Sequence, residues 1–241
     1  MRFLDLTFPT PAENLACDEA LLEWCAANNG DEILRVWESP SPFVVLGYGN
    51  KTAEEVDLDA CRRHNLPVLR RISGGGTVLQ GPGCLNYSLI MRIPTEENHP
   101  LRSITGTNAL VTQTNAQAMR ELLGPNVHER GLCDITIGLL KFSGNAQRRK
   151  RDYILFHGTI LRDFELPLIE ATLAIPKRQP EYRENRPHSD FLVNTSLASE
   201  PVVGLLRKTW QADSRLTGLP WDGIATLARE RYAVDAWTFS K

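Results

Sequence analysis

The residues best suited to chemistry in this chain fall in two short stretches. One is Arg70-Arg71-Ile72-Ser73-Gly74-Gly75-Gly76-Thr77-Val78; the other is Lys141-Phe142-Ser143-Gly144-Asn145-Ala146. Three consecutive glycines cost conformational entropy on folding, so a chain that orders them needs bare backbone at that point. The two arginines supply planar, permanently charged donors matched to phosphate or carboxylate. Stripped amides beside guanidinium groups describe a cradle for an anion. The same letters also describe an ordinary loop whose arginines sit in salt bridges. The flanks, residues 66–69 and 85–90, read as strand, so the glycines join strand to strand. A P-loop or dinucleotide fingerprint would join strand to helix, and no G-x-x-x-x-G-K-[ST] is present.

Lys141 stands between leucine and phenylalanine on a strand, so it either faces water or is aimed at something anionic. Asp134, next to Cys133, can hold a magnesium ion or orient a lysine, and one carboxylate is a thin metal signal. His157, in Phe156-His157-Gly158-Thr159, reads as a hydrogen-bond donor near a ligand or as a satisfied structural histidine. The basic run Arg148-Arg149-Lys150-Arg151 is placed in a turn between two strands, solvated or attracting an acidic partner. The polar, arginine-rich residues 178–188 either cap a site or form a surface loop. Without H-x-x-x-H, G-x-S-x-G or a second clustered acid, metalloprotease, serine-hydrolase and glycosidase chemistry have no support.

These stretches must be positioned by elements that the patterning makes visible. Cys17, Ala20, Leu21, Trp24 and Cys25 repeat on one helical face over residues 12–27, with Asp18, Glu19 and Glu23 mostly outside it. Residues 33–37 and 43–47 are β-branched and aromatic runs parted by Pro40 and Pro42, hence strands around a turn. Thr52 with Glu55 makes a capping box that opens a helix to about His64. A longer helix is expected over 107–123, strands at 135–137, 139–142 and 153–156, and helices near 201–210 and 222–231. The 241 residues suffice for a substantial core, 42% hydrophobic and 23% charged. A net charge of -2 argues against general nucleic-acid binding. No apolar run approaches a bilayer span. The first residues do not read as a signal peptide. Five cysteines with no C-x-x-C pair point to a reducing cytoplasm without a disulfide framework. The expected architecture is one α+β domain over residues 1–241 with a mixed, largely antiparallel sheet.

Taken together, the motifs resemble the lipoate–protein ligase family, relatives of the biotin–protein ligases. R-R-x-S-G-G-G-x-V followed by G-x-x-N-[FY]-S matches Arg70 to Val78 and then Gly83-Cys84-Leu85-Asn86-Tyr87-Ser88. The lysine motif K-[VIF]-S-G-[NS]-A matches Lys141 to Ala146, and H-G-T-[LI]-L matches His157 to Leu161. The ordered match covers about residues 12–197. It implies the biotin/lipoyl-ligase fold (class II synthetase-like) with helices flanking the sheet. It also implies a two-step reaction: lipoate attacks the α-phosphorus of ATP, and the ε-amine of a lysine then takes the lipoyl group from lipoyl-AMP. The acceptor would be a lipoyl domain or a glycine-cleavage H protein. On the same analogy Lys141 is catalytic and magnesium offsets the triphosphate, with Asp134 as its ligand. Arg70, Arg71, Ser73, Gly74, Gly75, Gly76, Thr77, Asn86, Asp134, Ser143, Gly144, Ala146, His157 and Gly158 would bind substrate and nucleotide. Val78, Leu139 and Phe142 are candidates for an apolar acyl slot.

Three departures open alternatives. The extra C-terminal domain of many single-chain ligases has no counterpart here, so a separate small accessory protein is expected. Gln80 stands where the ligases commonly have histidine, and Cys133 where they have asparagine. Related octanoyltransferases use no ATP: a cysteine thiolate takes octanoyl from acyl carrier protein and passes it to the target lysine. Cys133 is the candidate thiol, although its surroundings do not match the C-F-x-x-P-S context of one such subfamily, and no cysteine follows it as another subfamily requires. A non-catalytic lipoate-binding or acyl-delivery module is the third class, and the intact lysine motif counts against it.

Overall fold

A computed structural model describes residues 1–241. Its strands are β1 (Arg2–Asp5), β2 (Ile33–Trp37), β3 (Phe43–Leu46), β4 (Val68–Arg70), β5 (Val78–Gln80) and β6 (Cys84–Arg92). They continue with β7 (Val127–Arg130), β8 (Asp134–Ile137), β9 (Leu140–Lys150), β10 (Tyr153–Leu161) and β11 (Ser214–Arg215). Eight of them form one sheet in the order β11-β1-β2-β6-β10-β9-β8-β7, parallel at β11-β1-β2 and antiparallel from β2 onward. The expected mixed, largely antiparallel α+β architecture is therefore found. Three strands, β4-β3-β5, make a small second sheet.

The helices are α1 (Pro11–Asn28), α2 (Thr52–Glu55), α3 (Leu58–Arg63), α4 (Ile104–Leu123), α5 (Leu166–Thr172), α6 (His188–Phe191), α7 (Ser199–Thr209), α8 (Trp221–Leu227) and α9 (Asp235–Thr238). None is long and apolar enough to cross a membrane. Helix α1 opens on a reciprocal capping box between Thr10 and Glu13, with Pro11 in its first turn. It packs Leu15, Leu21 and Leu22 onto Ile33, Ile90, Tyr153 and Leu155 of the large sheet. Helices α4 and α7 cover the opposite face, burying Val111, Met119, Val202 and Leu206 against Leu34, Tyr87, Leu89, Phe142 and Phe156. Each such side chain taken from water contributes about 1.5–3 kcal/mol.

Three local expectations are corrected. Thr52 caps nothing: Lys51 precedes α2, Val56 is extended and bridges Leu173, and Asp57 caps α3 by accepting from Ala60 N. The helix expected over 52–64 is therefore broken in two. Asp18 and Glu19 lie inside, because Arg35 pairs with one and Arg231 and Tyr232 hold the other. The basic run is not a turn. Arg148, Arg149 and Lys150 finish the long β9 strand, and only Arg151, at φ 50°, turns the chain. The glycines do join strand to strand, as expected, with β4 and β5 flanking β3 on opposite sides.

Candidate active site

Strand register lays the site out as two rows across one face of the large sheet. In the first, Arg35 on β2 lies opposite Ser88 on β6, Ser88 opposite His157 on β10, and His157 opposite Ala146 on β9. In the second, Trp37, Asn86, Thr159, Gly144 and Asp134 follow the same path out to β8. Residues two apart on a strand share a face, so both rows look toward α1.

Asp18 of α1 closes the first row from above. Its Oδ1 accepts from Arg35 at 2.6 Å and its Oδ2 from Ser88 Oγ at 2.7 Å, with His157 Nδ1 at 3.7 Å. Burial opposes the charge on Asp18, but Arg35, His157 and Ser88 outweigh it, and the carboxyl sits below its ordinary range. His157 Nε2 meets Ser73 Oγ at 2.6 Å, which ties the sheet face to the glycine loop.

Within that loop the two arginines separate. Arg71 bonds Ser73 Oγ at 3.0 Å, Gly74 O at 2.6 Å and Gly76 O at 2.8 Å. Burial pulls it down to about 10. The N–H groups of Gly74, Gly75 and Gly76 find no acceptor in the protein, and all three residues are exposed. The bare amides expected from the sequence are therefore present, but the guanidinium beside them is turned onto the loop's own carbonyls. Arg70 lies elsewhere. Fully buried, it donates to Gly47 O, Asn50 O and Thr238 O at 2.7–2.8 Å, so it braces the loop at 47–50 against α9. Thr77 Oγ1 is taken by Asn50 Nδ2 at 3.1 Å.

The loop folds down onto β9: a Cβ on Gly75 would stand 3.5 Å from Ala146 Cβ. Lys141 lies over the same strand, since a Cβ on Gly144 would stand 2.7 Å from its Nζ. Gly144 and Ala146 are two residues apart, roughly 7 Å of strand. The amine and the glycine amides thus flank one stretch of sheet. A register shift between Ile135 and Thr136 makes this possible. Phe142 and Ser143 both turn to the α4 side, where Phe142 joins the core and Ser143 faces β10 beside Ile160. That bulge changes the alternation, so Lys141 shares a face with Gly144 and Ala146 instead of opposing them.

Lys141 Nζ pairs with Asp134 Oδ1 at 2.7 Å, and Tyr182 OH donates to Asp134 Oδ2 at 2.8 Å. Both Asp134 oxygens are engaged, and no group of three or more metal-ligating side chains is present, so the protein alone builds no magnesium cage and an ion here would rest mainly on phosphate and water oxygens.

Several expected residues face away from this surface. Ser143 points to the opposite side of the sheet. Gly158 sits there too, its bare Cα admitting the Asn145 side chain, whose Oδ1 would otherwise lie 1.8 Å from a Cβ. Asn145 is held by Tyr87 and donates to Cys133 O at 2.7 Å, while Cys133 Sγ donates to Asn145 O at 2.9 Å. Burial, reinforced by Asp134, pushes the Cys133 thiol up. Of the three acyl-slot candidates, Val78 packs against the α1-side core. Phe142 is buried on the other face and Leu139 is exposed on the β8–β9 turn. Asn86 Oδ1 accepts from Gln80 at 2.9 Å and from Thr159 at 2.7 Å, so the glutamine is part of the second row.

Sequence reasoning passed over Asp18, Arg35, Ser88 and Tyr182. Arg35 carried a signal, a lone arginine in the apolar run Ile33-Leu34-Arg35-Val36-Trp37; Ser88 closes the second motif and Tyr182 lies in the arginine-rich segment 178–188, while Asp18 looked like a solvent-facing acid.

The model of the lipoyl protein ligase A/B catalytic domain matches residues 10–198. Lipoate–protein ligase 1 of Staphylococcus aureus is 27% identical over 96% of this chain and 70% of its own length. The octanoyltransferase LipM of Geobacillus kaustophilus is also 27% identical, over 100% of this chain and 98% of its own. Among solved structures, a lipoate-protein ligase A bound with ATP superposes with a TM-score of 0.81 at 23% identity, over 99% of this chain and 98% of that one. The bipartite lipoate protein ligase of Thermoplasma acidophilum, described with its E2 lipoyl domain, gives 0.80 at 24% identity over 99% and 95%. At such identities the two structures establish the fold.

Proposed function

Because the chain belongs to the lipoyl protein ligase A/B catalytic domain family, we propose that it is an ATP-dependent lipoate–protein ligase. One observation carries this reading: Gly75, in the middle of the run of unpaired amides, stands over Ala146 of β9, two residues from Gly144, over which the Lys141 ammonium lies. Attack of the lipoate carboxylate on the α-phosphorus of ATP builds negative charge on phosphate oxygens as pyrophosphate leaves. Fixed donors aimed at that charge stabilise it without reorganising. Amides on one side and an ammonium on the other supply such donors. The amine of an acceptor lysine then attacks the lipoyl carbonyl and AMP departs, with Lys141 facing the charge that grows on the anhydride. Arg71 and the Ser73–His157–Asp18 chain hold the loop shape on which the amides depend. Magnesium, in this reading, comes in with the triphosphate. The acceptor is a lipoyl domain or an H protein, a separate small subunit completes the enzyme, and the setting is the cytoplasm.

The second reading, thiol-dependent octanoyl transfer from acyl carrier protein, is favoured by the LipM match over nearly the whole length of both chains. Its nucleophile would be Cys133, and the chemistry needs a thiolate. Burial and Asp134 hold that group as a thiol, already bonded to Asn145 O. This local setting supports the ligase.

The test incubates the purified protein and an acceptor domain either with lipoate and ATP or with octanoyl acyl carrier protein alone, and reads acceptor mass. The ligase reading expects modification only with ATP, and near-normal activity in Cys133→Ser. Transfer without ATP that disappears in Cys133→Ser would replace it with the second reading.

A further inference from the structure

The arginine-rich stretch between α5 and α7 is the part of the sequence that the reaction above does not use. It is a strap laid over the catalytic lysine. At one end Ala174 N donates to Glu55 O at 3.0 Å; at the other Val193 N donates to Lys141 O at 3.0 Å, alongside an isolated parallel bridge between Lys141 and Leu192. In between, Arg186 donates to Leu139 O at 3.1 Å and to Tyr182 O at 2.9 Å. Arg183 and Arg186 stack on the Phe191 ring at 4.5 and 5.3 Å, and Tyr182 packs on the same ring with centroids 5.3 Å apart. Gly131, at φ +57°, leaves room for this approach: a Cβ there would stand 3.0 Å from Pro180 and 3.6 Å from the Tyr182 ring. The strap thus fixes the Tyr182 ring, and the ring delivers its phenol to the Asp134 oxygen that Lys141 does not use.

We propose that Tyr182 is the positioning residue for Lys141, acting through Asp134. A carboxylate held by Lys141 alone can swing about its side-chain torsions and carry the ammonium with it. Pinned at its second oxygen by a phenol on a fixed ring, it keeps Nζ over Gly144, opposite the glycine amides. The inference rests on the preceding reading that this ammonium faces an acyl-adenylate. Tyr182 does not touch the reacting atoms in this arrangement. Its removal lowers turnover by misplacing the amine.

Tyr182→Phe tests this, because the ring that packs on Phe191 is kept. Two quantities are read on the intact protein. The first is the rate at which an acetylating reagent modifies Lys141, measured by peptide mass spectrometry against exposed Lys208 in the same digest. The second is kcat and KM for ATP-dependent lipoyl transfer, with the melting temperature as a control. The expected result is acetylation of Lys141 raised about threefold or more, kcat lowered tenfold or more, and little change in KM or melting temperature. An acetylation rate unchanged from the wild type overturns the assignment whatever the activity does. A raised rate with full kcat overturns it too, since the amine would then need no positioning. A wild type that transfers nothing with ATP sinks the ligase reading instead, and the acetylation arm still reports on Tyr182.

Discussion

Replacing Lys141 by methionine separates catalysis from folding, because the structure sets different magnitudes for the two. The ammonium lies 2.7 Å from Asp134 Oδ1, with the lysine side chain 25% and the aspartate 12% exposed. At an effective dielectric constant of 20 such a pair carries roughly 6 kcal/mol of gross Coulomb attraction. Desolvation of two largely covered groups cancels most of that. Asp134 keeps the Tyr182 phenol and some contact with water, so the net loss of stability is about 1–2 kcal/mol. For a chain of this size that lowers the melting temperature by roughly 2–8 °C. In the ligase reading proposed above, the reaction loses a fixed positive donor at the charge that develops in both steps. Removing one such donor costs about 10²–10³ in turnover, or ~2.7–4 kcal/mol of barrier. Thermal unfolding followed by circular dichroism measures the first effect, and the mass of a lipoylated acceptor domain over time measures the second. Lys141→Met retaining transfer within threefold of the wild type would refute the reasoning. So would a variant whose lost activity is matched by unfolding at the assay temperature.

Three further outcomes follow from the same geometry. Asp18→Ala leaves the fully buried Arg35 guanidinium without its carboxylate, and breaking such a pair costs about 3–5 kcal/mol; a urea melt showing under 1 kcal/mol would contradict the buried pair. Gly75→Ala forces a side chain into φ +85° with its Cβ 3.0 Å from Arg71. It should therefore lose about 1–2 kcal/mol in the same assay, whereas Gly74→Ala, whose Cβ meets nothing within 4 Å, should be close to neutral. Burial and the neighbouring Arg183 hold His188 below its ordinary pKa. The neutral ring therefore stabilises the fold fully above about pH 6.5, and that contribution disappears as pH falls through the lower folded value. His188 bonds Ala174 O and Arg183, so hydrogen exchange in residues 174–193, corrected for its intrinsic pH dependence, should quicken at pH 5 relative to pH 7.5. Equal protection at both would count against the linkage.

The long, strongly patterned pieces were legible before the structure. The α1 helix, β2, β3 and the two motifs all stand where periodicity and residue type put them. What misled was local chemistry overridden by tertiary contact. Thr52 and Glu55 have capping-box spacing, but the β-bridge of Val56 to Leu173 breaks the helix and gives the cap to Asp57. Asp18 and Glu19 look like solvent-facing acids until the arginines that pair with them arrive from residues 35 and 231. The basic run was expected in a turn and solvated; it is exposed at Arg148, Lys150 and Arg151, but the first three residues end a strand. There Arg149 braces Leu101 O, Lys150 pairs with Glu23, Arg151 turns the hairpin and Arg148 lies over the Tyr48 ring.

By itself the sequence determined which groups are available: a run of glycines beside Arg71 and Ser73, a lysine in a strand, a histidine followed by glycine, and their order along the chain. Those are matters of residue type, and residue type fixes charge, reach and backbone freedom. Only the tertiary structure decided which groups meet. Side chains on a strand alternate, so the face taken by Lys141 depends on one irregularity near Ile135 that no letter in the sequence announces. With regular pairing the amine would lie on the α4 side, beneath the sheet that carries His157 and Ala146. With the bulge it stands beside them, held by an aspartate on the next strand and a tyrosine from a distant strap.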